Sequence, residues 1–126
     1  MLGETLTLRF FDFNRIERGQ IKMEIRELIQ RSTKIRDAYH ALEMKQDGKP
    51  WTSEQDALAF LSDAGLAGRL VMDNQGSWPD SDQNYKLDAK IAECMWWLSS
   101  LAEENQVDLE KSLDNFLGDR EKHLKS

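Results

Sequence analysis

Apolar side chains recur at steps of three and four along most of this chain, the period of a helix that buries one face. From about Glu17 to Lys45 the apolar positions are Ile21, Ile25, Leu28, Ile29, Ile35, Tyr39 and Leu42, so the spacing predicts one long amphipathic helix. Asp47-Gly48-Lys49-Pro50 ends it. Gly48 can take the left-handed cap conformation, and Pro50 cannot continue a helix. A second helix is predicted from Ser53, read as its N-cap, with Asp56 three residues on in the manner of a capping box. It runs through Leu58, Leu61, Ala64, Gly65, Gly68 and Val71. A third is predicted from about Asn84 to Glu104, where Leu87, Ile91, Cys94, Met95, Leu98 and Leu101 cover an arc wide enough for a central helix. Asp108 caps a fourth, with Leu109, Leu113, Phe116, Leu117 and Leu124 as its expected buried stripe. Four helices with short connections predict an all-α four-helix bundle.

Residues 1–15 break the pattern. Thr5-Leu6-Thr7-Leu8-Arg9-Phe10-Phe11-Asp12-Phe13 alternates and is rich in β-branched and aromatic types, as a strand is. A single strand has no partner within a monomer. The segment therefore reads as a short extended N-terminal arm on a neighbouring subunit or as a loosely ordered leader. Phe10, Phe11 and Phe13 favour the arm. The helical domain then covers residues 16–126. Gly65 and Gly68 sit on nearly one face, each about 1 kcal/mol poorer than Ala in a helix. Close approach of a partner helix explains them better than room for a ligand. The loop from Asn74 to Asp82 carries Trp78, an aromatic that either folds back over the core or stacks on a nucleobase.

Composition narrows the function. A chain of 126 residues is long enough to bury a core, and 40% hydrophobic with 32% charged residues suits a soluble helical protein. A net charge of −6 argues against a nucleic-acid polymer as partner. Cys94, the lone cysteine, excludes an internal disulfide and reads as a small buried hydrophobe. No apolar run is long enough to span a bilayer, and no cleavage pattern follows an apolar run near the N-terminus. The expected location is cytoplasmic, with no membrane contact.

The stretch Lys90-Ile91-Ala92-Glu93-Cys94-Met95-Trp96-Trp97-Leu98, continuing through Leu101-Ala102-Glu103-Glu104 to Val107-Asp108-Leu109-Glu110, resembles the third and fourth helices of the MazG-like all-α nucleoside triphosphate pyrophosphohydrolases. Leu61-Ser62-Asp63-Ala64-Gly65-Leu66-Ala67 is similar to that family's acidic second helix. The resemblance covers roughly residues 20–124. The family pattern is Glu-Glu-x-x-Glu on one helix and Glu-x-x-Asp on the next. The matching positions here hold Ser62, Asp63 and Leu66, then Lys90 and Glu93.

The resemblance implies magnesium-dependent hydrolysis of a nucleoside or deoxynucleoside triphosphate to a monophosphate and pyrophosphate, with Asp63 and Glu93 as metal ligands. It also implies assembly as a homodimer or higher oligomer, because the family builds its site between associated subunits. Lys90, Trp78 and His40 are the candidates to touch substrate. His40 reads equally as a partly exposed surface histidine. The alternative is a catalytically silent MazG-like module that binds a nucleotide or a protein partner, with the Lys90 ammonium in the place of the cation. Asp56, Glu24, Glu27, Asp37 and Glu43 are the candidate replacement acids. The four on the first helix read mainly as solvent-facing partners of Lys22, Arg26, Arg31 and Lys34.

Overall fold

The computed structural model describes residues 22–77 and 85–125. The N-terminal arm and Trp78 lie outside the described residues. The fold is an all-α bundle with four helices among the described residues: α1 (Ile25–Asp47), α2 (Ser53–Asn74), α3 (Leu87–Glu104) and α4 (Leu109–Lys125). Helix α3 is central, as its wide apolar arc predicts. It packs most extensively on α2, then on α1, and meets α4 over a smaller area.

The helix ends follow local chemistry. Helix α1 begins at Ile25, because Glu24 is extended (φ −96°, ψ 164°). It stops at Gly48, which is left-handed with φ 80° and donates its N–H to the Met44 carbonyl at 3.0 Å. The N-cap of α2 is Thr52, one residue before the predicted Ser53. Thr52 Oγ1 accepts from the Gln55 N–H at 3.2 Å, and Gln55 Oε1 accepts from the Thr52 N–H at 2.8 Å. That reciprocal box satisfies two orphan donors. It leaves Ser53 Oγ free to accept from Asn105 Nδ2 at 3.0 Å and Asp56 free to face inward. Asp108 caps α4 as predicted, accepting from the Lys111 N–H at 3.0 Å.

The interior departs from the expected one. Among the described residues Trp97 is the one buried hydrophobic side chain, beside buried Ser32, Arg36, Asp56, Lys90, Ser99 and Ser100. Ile35, Tyr39, Leu42, Leu58, Leu61, Ile91, Met95 and Leu98 are exposed, and so is the α4 stripe of Leu113, Phe116, Leu117 and Leu124. The helical period is as expected, but the apolar stripes mark outward faces. Lys90, Glu93, Trp97, Ser100 and Glu104, spaced alternately three and four apart, make an inner stripe of α3. At Gly65 and Gly68 a Cβ would meet open space, so among the described residues no helix approaches closely there.

Helix α3 ends in a Schellman arrangement. Val107 N–H donates to the Ala102 carbonyl at 2.8 Å and Gln106 N–H to the Glu103 carbonyl at 3.3 Å. Gln106 carries φ 56°, the one positive value outside glycine among the described residues. A left-handed conformation costs an ordinary L-residue roughly 1–2 kcal/mol, which glycine avoids. Allowing for glycine's larger entropy loss on folding, Gln106→Gly is expected to stabilise the fold by about 0.5–1 kcal/mol in chemical denaturation.

Candidate functional site

Two polar clusters lie along the inner stripe of α3, one on each side of Trp97. The first contains the positions implied by the resemblance. Asp63 is on α2, and Lys90 and Glu93 are one turn apart on α3. Lys90 Nζ lies 2.8 Å from Glu93 Oε1 and 3.3 Å from Asp63 Oδ1. Trp97 Nε1 donates to the other Asp63 oxygen, Oδ2, at 2.8 Å. Tyr85 covers the ammonium, with its ring centroid 4.8 Å away. The Lys90 side chain is 10% exposed. The hydrogen bond to Glu93 raises its pKa above the ordinary lysine value; burial opposes the shift and Asp63 adds to it. Lys90 is thus a charged ammonium held between the two acids.

Magnesium needs near-octahedral oxygen ligands drawn from carboxylates, water and substrate phosphate. Both Asp63 oxygens are already engaged, one Glu93 oxygen holds the ammonium, and a positive charge stands between the two acids. The other positions of the acidic pattern are Ser62, which is exposed, and the apolar Leu66. The residues present do not fit the magnesium cluster that the resemblance implies.

The second cluster gathers Asp56 and Glu43, two of the candidate replacement acids, around Arg36, which the sequence does not single out. Arg36 of α1 is buried, and its guanidinium grips Asp56 of α2 through Nε–Oδ2 at 2.9 Å and Nη2–Oδ1 at 2.6 Å. It also holds Glu43 of α1 through Nη1–Oε2 at 2.9 Å and Nη2–Oε1 at 3.4 Å. Glu43 in turn accepts the Trp51 N–H at 2.8 Å. Glu104, at the end of α3, approaches Arg36 Nε at 3.8 Å, beyond hydrogen-bond reach. Rings of Trp51 and Trp97 flank the guanidinium at 5.9 and 5.4 Å. Burial works against the Arg36 charge, but the hydrogen bonds from its guanidinium to Asp56 and Glu43 more than offset it, so its pKa is raised. Glu104 behaves oppositely. Burial first, and next the adjacent Asp56 carboxyl, push it up to about 7, while Ser53 and Arg36 pull the other way.

The remaining candidates separate. His40 is half-buried on α1 and lies by Asp56 and Glu104, remote in role from the Lys90 cluster. Glu43 is not a solvent-facing partner of a surface lysine, because its side chain is 13% exposed and belongs to Arg36. Cys94 is half-buried, and burial pushes its thiol pKa up, away from nucleophilic use. Trp96 Nε1 donates to the Ser32 carbonyl on α1 at 3.3 Å, which leaves its ring along an open groove between α1 and α3 of about 610 Å³. The spacing of Arg36, His40 and Glu43 on α1 was the available signal for the second cluster.

Comparison with protein-family models, with curated proteins and with solved structures finds no match to this chain. No helix among the described residues is long and apolar enough to cross a membrane.

The Arg36 network generates two expectations. Removing the guanidinium leaves buried carboxylates uncompensated, so Arg36→Met is expected to lose about 3–5 kcal/mol in urea unfolding. Glu104 has a folded pKa near 7 against an ordinary value of 4.5, so the folded chain binds more protons than the unfolded chain between those limits. Stability without divalent ions is therefore expected to fall as pH rises from about 4.5 through about 7. Glu104→Gln should flatten that dependence in melting curves.

Proposed function

We propose that this chain is a self-associating, non-hydrolytic helical module of the MazG-like kind, in which Lys90 stands where that family carries its cation. The observation that carries this is the Lys90 ammonium, 2.8 Å from Glu93 and 3.3 Å from Asp63. A hydrolase of that class needs bound metal to neutralise the triphosphate and activate water. Asp63 and Glu93 are instead neutralised from within the chain. Paired with two carboxylates, the same ammonium has little charge left for a phosphate.

Self-association is supported by the placement of the apolar residues. Leu58, Leu61 and Met72, with Gly65 and Gly68 between them, share one outward face of α2. Ile35, Tyr39 and Leu42 lie exposed on α1, and Ile91, Met95 and Leu98 on α3. Exposed apolar area of this extent is typical of chains that bury it against a partner. The open space at Gly65 and Gly68 permits close approach of a helix from a second copy.

The test has two measurements on one sample. Pyrophosphate release is followed over a panel of nucleoside and deoxynucleoside triphosphates with magnesium or manganese, and mass is measured by sedimentation. The expected result is an oligomer with no release. Release that disappears in Asp63→Ala would restore the magnesium-dependent pyrophosphohydrolase and overturn the proposal. A folded, inactive monomer would overturn the self-associating part.

A further inference from the structure

We propose that His40, Asp56 and Glu104 form a binding site for a divalent transition-metal ion of the zinc class, clamping α1, α2 and the end of α3. One ligand atom from each of the three side chains lies within 4.8 Å of the others. A tetrahedral zinc site with bonds of about 2.0–2.2 Å spaces its ligand atoms about 3.4 Å apart, so a small closure of the side chains completes the set. The donors are one imidazole nitrogen and carboxylate oxygens, a mixture that suits zinc better than magnesium. Bundles build metal sites in this way, from inward side chains on facing helices.

Charge and satisfaction point to a missing cation. Arg36 is one positive charge facing three carboxylates, and the side chains of Glu43, Asp56 and Glu104 are 13%, 0% and 18% exposed. Both Glu104 oxygens are closed off from solvent and neither makes a well-aligned hydrogen bond, although Asp56 and Ser53 lie beside them. Arg36 binds both Asp56 oxygens, yet each carboxylate oxygen carries a second lone pair.

A second observation is independent of the acids. Ser100 is 2% exposed, and its Oγ has no hydrogen-bond partner. It lines a small cavity of about 40 Å³ together with Arg36, His40 and Glu104. That is space for an ion or one water, in a site whose hydroxyl and carboxylate are both unsatisfied. The Lys90 cluster offers no such opening, because its ammonium already bonds both acids.

The experiment uses the full chain without an affinity tag, stripped with chelator. Zinc is titrated by calorimetry with magnesium as control, and the imidazole signals are followed by nitrogen-detected NMR. The chain has 2 histidines, so His40 is read against His123 as an internal reference. The expected result is one equivalent of zinc, movement of the His40 signals alone, and a raised melting temperature. His40→Ala and Glu104→Gln should each weaken binding at least about tenfold. His40 is half-buried and Glu104→Gln is nearly isosteric, so both variants should fold. No zinc binding at neutral pH overturns the proposal, as does binding that moves His123 or persists in both variants. The outcome is independent of whether the chain hydrolyses nucleotides.

Discussion

One buried guanidinium joins three helices of this protein. Arg36 extends from α1, meets Asp56 of α2 in a two-bond fork, holds Glu43 about two turns along its own helix, and faces Glu104 at the end of α3. Taking a guanidinium and a carboxylate out of water is expensive, and the pair repays that only when its hydrogen bonds are well made. Here the fork is short and flanked by Trp51 and Trp97. The geometry of those bonds fixes the rotation of α1 and α2 toward α3. Rotating either helix by one residue would break the fork and leave Asp56, which has no solvent contact, without a partner. The polar interior thus specifies the arrangement.

Trp97 couples the two clusters. Its ring lies against Arg36 on one side, and its N–H bonds Asp63 on the other. Asp63 is therefore held by an indole and by Lys90 together, with both oxygens engaged. A metal ion at Asp63 would have to share the two acids there with the Lys90 ammonium, whereas Asp56 meets Arg36 with two further buried carboxyls beside it. The clusters look alike in composition but differ in balance. Lys90 meets two acids, one of them 40% exposed and so stabilised by water. Arg36 meets three, all largely buried. Surplus negative charge therefore collects at the Arg36 end of the stripe.

Much of the fold was legible in the sequence. Period, caps and breakers predict the helices, Gly48 and Asp108 take the roles their residue types dictate, and α3 is central as expected, although it packs inward through Lys90, Trp97 and Ser100 and not through its apolar arc. Asp63 of α2 meets Lys90 and Glu93 of α3, one turn apart as their spacing requires. What periodicity could not give was the direction of each face. A three-and-four repeat of Leu58, Leu61 and Met72 looks the same whether the stripe faces its own chain or another. Glu43 reads as a solvent-facing acid and Arg36 carries no signal, because charged residues on a helix are usually solvated. Their spacing with His40 was visible, but their partner Asp56 is distant in sequence and had been assigned to a cap that Thr52 and Gln55 supply. Ser100 gives no signal, because a serine beside Ser99 within an apolar helix looks neutral until its surroundings are known.

The inverted distribution of apolar and polar residues has a thermodynamic consequence. Hydrophobic burial is the main favourable term in folding, and one buried Trp97 with half-buried neighbours gives little of it. The Arg36 and Lys90 networks do not replace it, because a buried ion pair roughly breaks even against an apolar pair of the same shape. They can direct packing but cannot drive it. Under the proposed self-association, the outward faces of α1, α2 and α3 supply that driving force, and their burial against a second copy stabilises the fold and shields the polar clusters from water at once. Folding and association then become one equilibrium, and stability depends on protomer concentration. Under that coupling the ion pairs act as selectors: they penalise any packing of the same apolar faces that would leave Asp56 or Lys90 without its partner.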